Sequence, residues 1–119
     1  MTKYDFDRMK YDKIPPLTKN QLDMYLSQIR LYIEKAVKNN DIHFLLLSNE
    51  LRYYTMFQLI EHDNIEILLK QLIETIEFLG DIIDITFNEG FPCFWIKTKE
   101  DEQVHMFAFF DYENGVIYC

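Results

Sequence analysis

Carboxylates are the side chains best placed to do chemistry in this sequence. Between Glu61 and Glu89 there are eight of them and one cation, Lys70. Glu66, Lys70, Glu74, Glu77 and Asp81 recur at spacings of three and four, which is one face of a helix. Asp84 and Glu89 carry the negative charge onward. Like charges this close cost a few tenths of a kcal/mol per pair, so a run of them weakens its own helix slightly. Such a run attracts Lys and Arg side chains and can stand in for phosphates. The carboxylates are too numerous for any two to stand out as a general acid and base. The plain alternative is a solvated helix face.

Other reactive groups are sparse. His43, His62 and His105 are scattered, and none has zinc-ligand spacing with another His or a Cys pair. Cys93 and His105 can form a nucleophile and base if their strands are adjacent. A Cys beside Pro92 and two large aromatics also fits a packed core. A Cys93–Cys119 disulfide stays open on the same condition. Three glycines, each at an element boundary, exclude a P-loop and a dinucleotide fingerprint. The expectation is therefore no catalytic residue, no metal and no cofactor.

Aromatic residues make the second surface. In 104–111 one face is Val104, Met106, Ala108 and Phe110; the other is His105, Phe107, Phe109 and Asp111. In 91–98, Phe94 and Ile96 oppose Cys93 and Trp95. Two helices cover one face of such a sheet. Trp95, Phe107 and Phe109 are then open to a dimer mate, a partner or the N-terminal tail, unless the sheet curls and keeps them in its core.

The elements that must position these residues follow from local signals. Residues 1–16 form a tail with Lys-Tyr-Asp at 3–5 and again at 10–12, ending in Ile14-Pro15-Pro16. The domain is 17–119. Thr18 with Gln21 makes a capping box for a helix to Asn39 whose stripe is Leu22, Tyr25, Leu26, Ile29, Ile33, Ala36 and Val37. Residues 42–60 read as a hairpin broken at Ser48-Asn49-Glu50. A second helix runs from Asn64 to Leu79, capped by Asp63, with Gly80 as a left-handed C-cap. Then come strands 81–87 (Ile83, Ile85 and Phe87 on one face), 91–98 and 104–111. Asn114-Gly115 signals a tight hairpin returning as 116–119. The order is α-β-β-α-β-β-β-β. That is the α+β class, an antiparallel sheet with two helices packed on one face.

Charge divides the chain. Residues 1–40 hold eight Lys/Arg and five Asp/Glu; residues 41–119 hold four and fifteen, a net of −11. So acidic a body disfavours direct binding of nucleic acid or an anionic membrane and suits a basic protein partner. No apolar run reaches the roughly 18 residues of a membrane span. The N-terminus has no apolar core of a secretion signal, so a cytoplasmic protein with reduced thiols is expected.

Codon bias adds a genomic note. Phe, Tyr, Met, Ile, Asn and Lys total 53 residues, while Gly, Ala, Arg and Pro total 11. That points to a low-GC bacterium or a mobile element within one. In size, charge and this bias, and in no motif, the chain resembles the small acidic inhibitors of phages and mobile elements, of the anti-CRISPR and anti-restriction type. The resemblance implies an inhibitor that occupies the basic groove of a nucleic-acid-handling protein such as a host-defence nuclease, by nucleic-acid mimicry. An immunity protein neutralising a toxin would use the same surfaces. A small enzyme or ligand-binding domain, with a pocket between sheet and first helix, stays open too.

Overall fold

The computed structural model describes residues 14–39, 42–50, 54–59 and 64–111. Two helices and five strands follow in the order α1 (Lys19–Lys38), β1 (His43–Ser48), β2 (Tyr54–Gln58), α2 (Ile65–Leu79), β3 (Gly80–Asn88), β4 (Phe91–Thr98), β5 (Val104–Asp111). This is the expected α+β class with one antiparallel sheet. The strands lie in the order β2-β1-β5-β4-β3. Both edges of β5 are thus occupied, by β1 and β4. The expected return strand 116–119 lies outside the described residues, as do Cys119 and tail residues 1–13. No described helix is long and apolar enough to cross a membrane.

The helix starts are local chemistry. Thr18 caps α1: its Oγ1 accepts from Gln21 N–H at 3.2 Å, and Gln21 Oε1 accepts from Thr18 N–H at 2.9 Å. Two orphan donors are satisfied at once. For α2 the cap is Asn64, whose Oδ1 accepts from Ile67 N–H at 2.9 Å. The expected cap, Asp63, lies outside the described residues. Gly80 ends α2 at φ 162°, ψ −158°. That is extended backbone, not the expected left-handed cap. The glycine is required for another reason: a Cβ there would sit 2.1 Å from the Lys97 carbonyl oxygen.

Both helices pack on one face of the sheet. Ile29, Ile33 and Ala36 of α1 and Leu68, Leu72 and Ile76 of α2 meet Phe44, Leu46, Phe57, Ile82, Ile85, Phe94, Ile96, Phe107 and Phe109. Phe109 is at the centre, nearly parallel to Phe44 at 5.5 Å between ring centroids. Tyr32 fixes α1 to the last residue of β5: its hydroxyl accepts from Asp111 N–H at 2.8 Å and donates to Asp111 Oδ2 at 3.3 Å.

Strand β3 departs from simple alternation. Ile82 pairs with Ile96, but Asp84 pairs with Trp95, so one extra residue is accommodated in between. This bulge sends Ile82 and Ile85 into the helix-side core and Ile83 to the opposite face, with Trp95 and Val104. Ile83 and Ile85 therefore do not share a face, contrary to the alternating pattern of 83, 85 and 87.

Candidate functional site

Register decides the fate of the aromatic surface. Phe94 pairs with Phe107 and Trp95 with Met106. Residues paired across strands share a face, so Trp95 lies on the side away from the helices while Phe107 and Phe109 lie beneath them. Phe107 and Phe109 are fully buried and Trp95 is 6% exposed. The expectation that these three form one open surface is corrected. Phe107 and Phe109 are core because α1 and α2 cover that face, and Trp95 is buried on the other, its Nε1–H donating to Thr86 Oγ1 at 3.0 Å.

The same register separates Cys93 from His105. Cys93 pairs with Ala108 and shares the face of Trp95; His105 pairs with Ile96 on the helix side. They cannot act as nucleophile and base. Burial also pushes the Cys93 thiol up to about 11, against the opposing pull of a backbone hydrogen bond with Asn88. It is a thiol, not a thiolate, near neutral pH.

His105 has other company. Its Nε2 lies 2.7 Å from Asp101 Oδ2 and its Nδ1 lies 3.5 Å from Glu50 Oε1. Asp101 Oδ1 also accepts from Thr98 Oγ1 at 2.6 Å and from Gln103 N–H at 2.9 Å. The cluster ties the β4–β5 loop to the turn after β1. Desolvation pushes the Asp101 carboxyl up. The bonds from Thr98, Gln103 and His105, with the coulombic pull of His105, outweigh it and hold the group down at about 2. A carboxyl lowered on folding stabilises the fold above its ordinary value of 3.8, and that contribution is lost as pH falls through about 2. Wild type is therefore expected to lose more stability than Asp101→Asn between about pH 4 and pH 2. Urea titrations of both proteins across that range check this, and parallel pH curves would show that the loop bonds do not form in solution.

The carboxylates divide into separate groups. Glu66, Glu74 and Glu77 are exposed on α2, with Lys70 among them. Glu66 pairs with Arg30 of α1, which also lies 3.7 Å from Glu34. Arg30, Glu66, Lys70, Glu74 and Glu77 rim a groove of about 620 Å³ between the helices, floored by Leu26, Leu69 and Ile73. Asp81 does not extend the helical row. It sits on β3 opposite Lys97, in a pair adjacent to the inward-facing Ile82–Ile96 pair, and so points to the other side of the sheet. Asp84 is half-buried at the bulge, its Oδ1 accepting from Ile85 N–H at 2.8 Å. Glu89 lies in the β3–β4 turn at φ 52°, followed by Gly90 at φ 94°. Eight residues of strand, at about 3.3 Å each, separate it from Asp81. The patch centred on Glu74, Glu77 and Asp81 thus contracts to α2 alone.

Spacing of the carboxylates does not mark Phe78, 80% exposed on α2. It lies off the apolar stripe, one turn beyond Glu74 and next to Glu77. Ile67, also exposed, stands on the same ridge eleven residues earlier, about 16 Å along the axis. The signal was in the sequence: a large aromatic at a position that helical periodicity assigns to the polar face.

A second cleft of about 580 Å³ lies between α1 and the β3–β4 turn, walled by Leu31, Tyr32, Lys35, Phe87 and Glu89. Neither Cys93 nor His105 lines it. Among the described residues no group of three His, Cys, Asp or Glu side chains is arranged to hold a metal ion. Comparison with protein-family models, with curated proteins and with solved structures finds no match to this chain.

Proposed function

We propose that this chain is a non-enzymatic binding protein that inhibits a basic, nucleic-acid-handling partner through the solvent face of α2. The observation that carries the reading is Phe78, almost fully solvated and flanked by Glu74 and Glu77. Exposed aromatics are costly to leave in water, and at interfaces they serve as anchors within a polar rim. Carboxylates around the anchor attract Lys and Arg, speed encounter and reject acidic partners. A groove built to hold phosphates presents the complementary charge. The strongly acidic body of the chain supports the same partner chemistry.

The test is affinity capture from a low-GC bacterial lysate, at low and high salt, with three baits in parallel. Wild type is expected to retain a nucleic-acid-binding protein that elutes as salt rises. Glu74→Lys with Glu77→Lys is expected to lose it while keeping a normal thermal transition, because both side chains are exposed. Phe78→Ala is expected to weaken the complex about 30-fold, the effect of losing a hot spot of about 2 kcal/mol. Equal retention by the charge-reversed bait would reject α2 as the contact surface.

A further inference from the structure

The two edges of the sheet are built differently. β3, at one edge, is guarded against pairing with a further strand. The Ile82 carbonyl is taken up by Leu17 N–H at 2.8 Å. The bulge between Ile82 and Asp84 breaks the regular row, and the carboxylates of Asp81 and Asp84 stand on the strand. Bulges and charges are the means by which natural sheets keep their edges from pairing.

β2, at the other edge, has none of these guards. Tyr54–Gln58 contains no charged residue and no proline, and its register against β1 runs without a shift. Among the described residues its one neighbour in the sheet is β1. Just beyond β2, Leu59 N–H donates to the Ile42 carbonyl at 2.7 Å. Hydrogen-bonding direction alternates along a strand. Phe57 and Thr55 therefore also turn their backbone groups to β1, while Tyr54, Met56 and Gln58 turn theirs away from the sheet. The same three residues are exposed, Tyr54 at 58% and Met56 at 48%. An uncharged edge with outward N–H and C=O groups is a template for another strand.

We propose that the strand is supplied by a second copy of this chain, the two β2 strands pairing antiparallel about a two-fold axis at Met56. Two properties choose a second copy. The outward residues of β2 are symmetric about Met56. With Met56 opposite its twin, Tyr54 lies opposite Gln58 of the second copy, and each outward N–H finds a C=O. Charge is the second property. The chain has a net charge of −8, so two copies repel over most of their surface, and like charges facing each other across strands are destabilising. At β2 no charges meet. A basic partner, by contrast, has no carboxylate to engage on this strand. The contact uses no residue of the solvent face of α2, so it stands or falls apart from the inhibitory surface proposed above.

The test is sedimentation of the full chain from low micromolar concentration to about 1 mM, on wild type, Met56→Lys and Met56→Pro. Wild type is expected to shift from one copy towards two. Met56→Lys sets two like charges against each other at the axis, on a side chain exposed enough for the fold to accept them. It is expected to stay a single copy throughout. Met56→Pro deletes an outward N–H, which is the side on which an edge strand tolerates proline. It is expected to behave likewise, at unchanged helical circular dichroism; should it not fold, Met56→Lys decides alone. Amide exchange in wild type locates the contact. Tyr54, Met56 and Gln58 are expected to slow several-fold as concentration rises, while Thr55 and Phe57, already bonded to β1, hold constant. A wild type that stays single at every concentration overturns the proposal. So does association retained by either folded variant, or exchange at those three amides that ignores concentration.

Discussion

Phe109→Ala is expected to cost about 3–5 kcal/mol, a large share of the 5–15 kcal/mol that holds a typical domain folded. The ring is fully buried and central to a group of four aromatics. Phe44 stacks on it at 5.5 Å, while Phe57 and Tyr32 approach edge-on at 6.1 and 6.5 Å. Truncation removes its transfer free energy and opens a cavity between rigid rings that cannot collapse onto it. Urea unfolding followed by Trp95 fluorescence measures the change, with the slope against denaturant expected to hold constant. A residue that served as a partner contact would change stability by less than about 0.5 kcal/mol. A value that small would return Phe109 to the surface and undo the helix-on-sheet arrangement.

Gly80→Ala is expected to be nearly as damaging, and for a reason unrelated to backbone dihedrals. Gly80 is extended, a conformation any residue adopts. The added Cβ would lie 2.1 Å from Lys97 O and 2.8 Å from both Lys97 C and Thr98 Cα. All three are backbone atoms of β4, so the strand itself must move. Overpacking of this kind costs about 3 kcal/mol. Gly90→Ala provides the comparison. Nothing lies within 4 Å of a Cβ at Gly90, and only its φ of +94° is at issue, so the expected cost is about 1–2 kcal/mol. Thermal unfolding of the two variants side by side measures the difference. Equal losses would mean that β3 and β4 do not approach as closely as the structure has them.

These two positions also show which parts of the structure are legible in the sequence. The Thr18–Gln21 capping box, the helical stripes and the break between the strands before Phe91 each rest on interactions within a few residues, and all three are present. Features that depend on pairing between distant segments are not legible. Alternation cannot reveal the bulge after Ile82, because the bulge exists only relative to β4. Gly80 was recognisable as a boundary, but its purpose is the approach of Lys97, seventeen residues later. Trp95, Phe107 and Phe109 could not be sorted into faces until Phe94 was matched to Phe107. For the site the division is similar. Glu66, Glu74 and Glu77 share a solvent-facing helix as spacing implied, while Asp81, Asp84 and Glu89 leave it because the helix stops at Leu79. The Asp101–His105–Glu50 cluster joins the β4–β5 loop to the turn after β1, and no spacing rule reaches across that distance.

The central place of β5 has a consequence for how the chain is made. β1 must pair with β5, so Phe44 waits for Asp111 and Ser48 for Phe107, about sixty residues of synthesis later. Until then the β1–β2 and β3–β4 hairpins emerge from the ribosome as two fragments, each with an unpaired edge. Non-local closure of this kind slows folding and prolongs the exposure of sticky strand edges. The last described strand is therefore the keystone. A ribosome stalled before Val104 would release a chain with both helices and four strands but no continuous sheet. Such a product exposes the unpaired edges of β1 and β4, the condition in which partly folded chains aggregate.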